Sequence, residues 1–396
     1  MQDMKYLDYA ATSPVDPLVF ERMLPYFKSE FGNASSAHSL GRQARMAVER
    51  ARNEVALALG VAQSQILFTG SASEANNLAL KGVVESLLVK HPNRNFELIV
   101  SQIEHPCVIE SAKHLESLGW AKVHWLEVDS VGQVNLEQLE SALNEKTVLV
   151  SVMYVNNEIG SVQPIAKIKQ LVDQGRRRRK EVDSLPIFFH CDSVQALQYY
   201  PIKGIADFIT LAPHKYYGPK GVGILVKPLN VELKRQVDGG GQEYYLRAGT
   251  ENVAGIVGAG LATVIAVREG EAARNRVMSL RDELVRSLNA ANLGGILVSD
   301  GDIEMFSPHI VNIIFPELDG EILIAALDQR GFAVSSGSAC SSGVVRKSHV
   351  LEALNLGLDK YAPLRISIDK STTTAELQEF VHELKSCIVS LSRLGI

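Results

Sequence analysis

Ala206-Asp207-Phe208-Ile209-Thr210-Leu211-Ala212-Pro213-His214-Lys215-Tyr216-Tyr217-Gly218-Pro219-Lys220-Gly221-Val222-Gly223 carries the clearest fold signal in the chain. An apolar run ends in His214-Lys215, turns through Gly218-Pro219 and gives way to a second apolar run at 222–226. Just upstream, Phe188-Phe189-His190-Cys191-Asp192-Ser193-Val194-Gln195 ends another apolar run in an aspartate. Working outward, strand-like runs at 66–69, 97–101, 122–128, 147–155, 187–191, 206–211 and 222–226 alternate with helical stretches. The helical stretches are 40–59, 74–90, 106–118, 136–144 and 165–180. Several strands read as continuous apolar runs, such as Val148-Leu149-Val150-Ser151-Val152-Met153, which suits strands covered on both faces. Strand–helix alternation at this spacing predicts an α/β fold with a mostly parallel sheet of seven strands.

From about Asn252 the texture changes. A long helical tract runs to about Asn292, followed by strand-like 310–315, a helix at 319–329, strand-like 333–335 and a final helix from Thr374. The expected organisation is a large domain at 16–255 and a smaller α+β domain combining 1–15 with 256–396. The 396 residues carry 40 Lys+Arg against 45 Asp+Glu, a net charge of −5, with 46% hydrophobic and 21% charged residues. Those values exclude wholesale disorder. The acidic balance argues against a nucleic-acid partner. No uninterrupted apolar run reaches the roughly 18–20 residues that span a bilayer, so no membrane association is expected. Met1-Gln2-Asp3-Met4-Lys5 lacks the features of a signal peptide, and the expected location is the cytoplasm. Cys107, Cys191, Cys340 and Cys387 are far apart in sequence, with no C-x2-C pair, so neither a disulfide framework nor a metal site is expected. The run Arg176-Arg177-Arg178-Arg179-Lys180 reads as a solvated helix end, where cations suit the negative end of the helix dipole.

A lysine at the end of a buried strand sits where desolvation favours the neutral amine, which is what Schiff-base formation needs. Asp192, at the end of a neighbouring apolar run, is costly to bury without a cation or a strong donor. A protonated pyridine nitrogen is such a cation, and the pairing keeps its ring an electron sink. The two residues would converge at the carboxyl edge of one sheet. Thr69-Gly70-Ser71-Ala72-Ser73-Glu74-Ala75-Asn76-Asn77 follows a strand and opens a helix, and its small residues leave backbone N–H groups free to cradle a phosphate. Alone it is a capping box, Ser71-x-x-Glu74. Glu104-His105-Pro106 and Asn156-Asn157-Glu158-Ile159-Gly160 are two further loops after strands.

In this order the pieces resemble the pyridoxal-phosphate enzymes of aminotransferase class V, and more narrowly the cysteine desulfurases of the IscS/NifS kind. The resemblance also takes in Tyr6-Leu7-Asp8-Tyr9-Ala10-Ala11-Thr12, Phe31-Gly32-Asn33-Ala34-Ser35-Ser36 and Gly239-Gly240-Gly241-Gln242-Glu243. Later come Arg247-Ala248-Gly249-Thr250, Ser335-Ser336-Gly337-Ser338-Ala339-Cys340 and Pro363-Leu364-Arg365-Ile366-Ser367.

The resemblance implies the fold type I architecture of pyridoxal 5'-phosphate enzymes and conversion of L-cysteine to L-alanine. The sulfur would stay on Cys340 as a persulfide and pass to an acceptor protein. It implies that Lys215 holds the cofactor covalently, Asp192 pairs with the ring nitrogen and Gln195 bonds the phenolic oxygen. His105 would stack on the ring and move protons, while Ser73, the Ala72 backbone and His214 would hold the phosphate. Thr250 would reach the neighbouring subunit's site in a homodimer, and Asn157 and Arg365 would bind the substrate carboxylate. Cys107, Cys191 and Cys387 read as core filler. Ala212 stands where the family usually has a phosphate-binding serine, a loss of about 1.5–3 kcal/mol if nothing replaces it. The alternatives within the resemblance are a selenocysteine lyase or another class V reaction.

Overall fold

The computed structural model describes residues 4–179, 184–302, 304–316, 318–337, 348–357 and 361–394. Cys340, the expected nucleophile, lies outside the described residues. The first half of the chain runs β1 (Lys5–Tyr6), α1 (Pro17–Met23), α2 (Pro25–Lys28), α3 (Ser39–Leu59), β2 (Ile66–Thr69), α4 (Ala72–Lys90), β3 (Phe96–Ser101), α5 (Pro106–Ser117), β4 (Ala121–Leu126), α6 (Leu136–Ala142), β5 (Thr147–Ser151) and α7 (Ile165–Arg178). It continues with β6 (Phe188–Asp192), β7 (Phe208–Leu211), β8 (Gly223–Val226), α8 (Gln242–Tyr245), α9 (Val253–Ala291), β9 (Ile296–Leu297), β10 (Ile310–Pro316), α10 (Gly320–Asp328), β11 (Phe332–Ala333), α11 (His349–Ala353), β12 (Tyr361–Ser367) and α12 (Thr374–Leu394).

Seven strands form one sheet in the order β2-β8-β7-β6-β5-β3-β4, and only β8 runs against its neighbours. Strand pleating sends alternate side chains to opposite faces. Thus Leu67, Leu98, Leu149 and Leu225 pack under α4 and α5. Ile66, Phe68, Ile224 and Val226 face the core shared with α3 and α9. Burial on both faces explains the continuous apolar runs. Strand β5 is shorter than the run 147–155 because the Met153 N–H turns to the Glu104 carboxyl, at 2.5 Å, instead of a strand partner.

β12, β10 and β9 form a separate antiparallel sheet, and β1 pairs with β11. Strand β12 escaped the sequence reading because Pro363 interrupts it. Its edge position tolerates the missing N–H. Helix α9, about 58 Å long at 1.5 Å per residue, is long and apolar enough by composition to cross a bilayer. Most of that stretch is instead buried, packed against α1, α3 and α12.

The basic run is only partly solvated. Arg176 pairs with Asp173 and Asp207 and donates to the Ile187 carbonyl. The Arg179 side chain, 4% exposed, donates to the carbonyls of Asn144, Thr147 and Leu185. These two arginines tie the end of α7 to the sheet.

A second buried cation shapes the stretch ahead of α9. Glu243, Tyr244 and Tyr245 take left-handed φ values of 47°, 58° and 64°, sparsely populated for residues with side chains. Glu243 holds that conformation in place. Its carboxylate accepts two 2.7 Å bonds from Arg52 and one from the Phe68 N–H, with both side chains of the ion pair 3% exposed. Glu243→Ala leaves the Arg52 charge buried without its bidentate partner. The expected loss is about 3–5 kcal/mol in urea unfolding; a loss under about 1 kcal/mol would contradict this reading.

Candidate active site

β6 and β7 are parallel neighbours, and their carboxyl ends bring Asp192 and Lys215 to the same edge. Lys215 does not end the strand itself. It closes a short 3-10 turn, Pro213–Lys215, that follows β7. The N-terminal segment lies over this turn. Ser13 N–H and Oγ both donate to the His214 carbonyl, and Ser13 Oγ accepts from the Tyr217 N–H. In consequence Lys215 Nζ donates to the carbonyls of Ala10 and Ala11, each at 2.7 Å, and among the described residues to no carboxylate. Burial lowers its pKa from 10.5 to about 8; Arg365 lowers it further, while Asp8 and Asp192 oppose the shift.

Asp192 is 4% exposed. It accepts 2.8 Å and 3.0 Å bonds from Asn76 Nδ2 and the Val194 N–H, and among the described residues it has no salt bridge. A buried carboxylate with two neutral donors and no cation is under-compensated. Gln195 gives one amide hydrogen to the Ala10 carbonyl at 2.9 Å, and its Oε1 accepts from His309 Nε2 at 3.1 Å. Its second amide hydrogen remains to donate. Behind Lys215 lies a small cavity lined by Gln195, Tyr199, His309 and Asp369.

Helix α4 begins at Ala72, with Ser71 as its N-cap, so the first N–H groups have no intrahelical acceptor. β8 presses against this turn: a Cβ on Gly223 would lie 2.2 Å from the Ser71 carbonyl carbon, so only glycine fits. Ser73 is exposed at that helix end. Burial depresses the pKa of His214 to about 4, and its Nδ1 lies 3.2 Å from Thr12 Oγ1. Ala212 is buried, and the nearby Thr210 hydroxyl is turned to His190 instead of standing in for the missing serine.

His105 is the N-cap of α5. Its Nδ1 accepts from the Cys107 N–H at 3.2 Å, so the neutral ring carries its proton on Nε2. Burial favours that neutral form. The Cys107 thiol lies 3.0 Å from the same nitrogen and 3.2 Å from Asn76 Nδ2. Cys107 packs against the apolar core, in line with the sequence reading, and its thiol also sits among the site residues. Burial pushes its thiol pKa up to about 12. Cys191 and Cys387 are buried in the apolar core, in line with the sequence reading.

Arg365, at the centre of β12, donates from Nη1 to the Asn157 carbonyl and from Nη2 to Asp8 Oδ1, each at 2.7 Å. Among the described residues its buried Nε has no partner. Asn157 thus meets Arg365 through its main chain. Thr250 is exposed on the loop into α9. Sequence reasoning overlooked Asp8 and Asn76. Both lie inside quoted motifs, but only the fold gives them partners.

A model of the aminotransferase class-V family matches residues 5–380. A cysteine desulfurase IscS of Dictyoglomus turgidum is 37% identical over 98% of this chain and 96% of its own. A solved NifS-like protein is 35% identical, with a TM-score of 0.87 over 98% of this chain and all of its own. A solved SspA in complex with cysteine is 32% identical, with a TM-score of 0.77 over 93% of this chain and all of its own.

Proposed function

This chain belongs to the aminotransferase class-V family, and from that premise we propose that it is a pyridoxal-phosphate-dependent cysteine desulfurase. One structural observation carries the reading. Among the described residues, a buried carboxylate without a cation ends β6, and a part-buried lysine without a carboxylate partner closes the turn after the adjacent parallel strand β7. Pyridoxal 5'-phosphate fits both needs. Asp192 offers charge to a ring nitrogen, Lys215 offers a neutral amine, and Gln195 keeps one amide hydrogen for a phenolic oxygen. The start of α4, with Ser73 and His214, offers donors to a phosphate. When bound, the cofactor serves as an electron sink for the substrate's α-carbon.

The protein's own groups do the rest. The planar fork of Arg365 takes the substrate carboxylate, beside the amide of Asn157. Lys215 and the Nε2 proton of His105 move protons at the substrate carbons. The Cys340 thiolate attacks the substrate sulfur and forms an S–S bond. The carbon–sulfur bond breaks with its electron pair on carbon, which is protonated to give alanine. Cys340 is left as a persulfide, and an acceptor protein takes its outer sulfur. The relative named cysteine desulfurase IscS supports L-cysteine as substrate, and the cysteine-bound SspA supports recognition of the free amino acid. The exposed side chains of Leu18, Phe20, Phe27 and Phe31, with Thr250 on its outward loop, support a homodimer that shares its sites. The cytoplasm remains the proposed location.

The test is product stoichiometry. Under reductant, L-cysteine should give alanine and sulfide one for one; pyruvate, or alanine without sulfide, would overturn the proposal. Comparing L-selenocysteine as substrate tests which chalcogen the enzyme prefers. Arg365→Lys keeps the charge, and with it the pairing to Asp8, but loses the fork. KM for L-cysteine should rise at least about tenfold with cofactor affinity unchanged. An unchanged KM would remove Arg365 from substrate binding.

A further inference from the structure

Four fully buried polar side chains behind Asp192 form one directed chain. Asn76 Nδ2 lies 2.8 Å from Asp192 Oδ2. A carboxylate oxygen only accepts, so the amide nitrogen must face it, and Asn76 Oδ1 must face His190 Nε2 at 3.0 Å. Oδ1 only accepts, so His190 carries its proton on Nε2, and its Nδ1 accepts from the Ser151 hydroxyl at 2.8 Å. Thr210 Oγ1 flanks the same Nε2 at 3.2 Å. His190 is fully buried and burial alone drives its pKa down to about 3, so the ring stays neutral. The second amide hydrogen of Asn76 reaches the Cys107 sulfur, whose thiol faces His105 Nδ1. A single amide on α4 therefore touches the partner of the proposed ring nitrogen and, through one thiol, the proposed proton carrier.

We propose that Asn76, oriented by His190 and Ser151, is the positioning residue that holds the Asp192 carboxylate aimed at the cofactor ring, with the Cys107 thiol lying between the same amide and His105. This rests on the cofactor reading above. The charge at Asp192 dictates the orientation of every group in the chain. The chain in turn supplies the carboxylate with a donor that water cannot reach. The titratable groups facing Asp192 from the surrounding elements are Glu104, His105, Cys107, Cys191 and Lys215.

The experiment titrates pyridoxal 5'-phosphate onto the apoproteins of wild type, Asn76→Ala, Asn76→Asp, His190→Gln and His190→Leu. Asn76→Ala removes one charge-assisted bond and should weaken binding roughly 10- to 100-fold. Asn76→Asp has the same shape but sets a second carboxyl against Asp192. At about pH 8 it should bind more weakly than Asn76→Ala; its deficit relative to wild type should shrink at about pH 6, where the pair holds a shared proton. His190→Gln keeps a donor toward Asn76 and should stay within about threefold of wild type, whereas His190→Leu should weaken binding at least about tenfold. A purely structural Asn76 predicts a well-tolerated Asn76→Asp, or equal deficits for Asp and Ala at both pH values. Either result overturns the proposal. If Asn76→Asp does not fold, equal affinities for the two His190 variants overturn it instead. Wild-type apoprotein that fails to bind the cofactor would sink the functional reading, a different failure.

Discussion

Lys215→Ala is expected to give a folded protein that neither turns yellow with pyridoxal phosphate nor turns over L-cysteine. The methyl group cannot form the covalent link, so the visible absorbance of the loaded protein should be lost, even where phosphate contacts still retain the cofactor. Wild-type protein should also show a specific pH dependence when it captures added cofactor. Folding lowers the pKa of Lys215 from 10.5 to about 8, chiefly by burial. Only the neutral amine attacks a carbonyl. That form makes up roughly a tenth of the folded protein at about pH 7 and half at about pH 8. The capture rate should therefore rise about fivefold over that step and level off above about pH 9, where an ordinary lysine would still be gaining. The same shift carries a stability sign. The unfolded chain binds this proton more tightly, so apoprotein stability should rise with pH between about 8 and 10.5 and gain nothing from this group below that window. A variant that keeps the visible absorbance, or a capture rate still climbing past about pH 10, would remove Lys215 from its role.

Cys340→Ser is expected to leave cofactor binding and thermal stability intact while turnover of L-cysteine falls by at least about 1,000-fold. The reason is chemical. A serine hydroxyl is almost never ionised at neutral pH, so it cannot attack the substrate sulfur. The residues before it in sequence, Ser335, Gly337, Ser338 and Ala339, are all small, and serine differs from cysteine by one atom. The variant should release no alanine. Alanine and sulfide at the wild-type rate would mean that another group takes the sulfur. Cys107 would be the next candidate by position, although its raised pKa makes it a poor thiolate.

The large sheet was legible because all seven of its strands are short apolar runs bounded by turn residues. Their positions in sequence match the observed strands to within a few residues. Strand β12 was not, since Pro363 and Arg365 break the pattern, and its pairing with β10 is a long-range choice. The same limit governed the site. Lys215, Asp192 and His105 carry motif signals because they follow or end strands or cap a helix. Asn76 sits on a helix face where nothing local marks it, and only the fold brings it within 2.8 Å of Asp192. Cys107 packs against the core as its apolar neighbours Pro106 and Val108 suggest, but its contact with the imidazole was not legible, because the N-cap turn at His105 folds the thiol back onto the ring. Arg179 looked solvated because charge runs usually are. Its carbonyl partners come from two separate segments, the turn at 144–147 and the residues before β6.

The most direct test is to locate the sulfur. Cofactor-loaded wild-type protein is given L-cysteine without acceptor or reductant, then digested and analysed by mass spectrometry. The account predicts one extra sulfur atom on the peptide containing Cys340, alanine in equal amount, and no added sulfur on Cys107, Cys191 or Cys387. Alanine formed with the sulfur on one of those three cysteines, or on none, would contradict it.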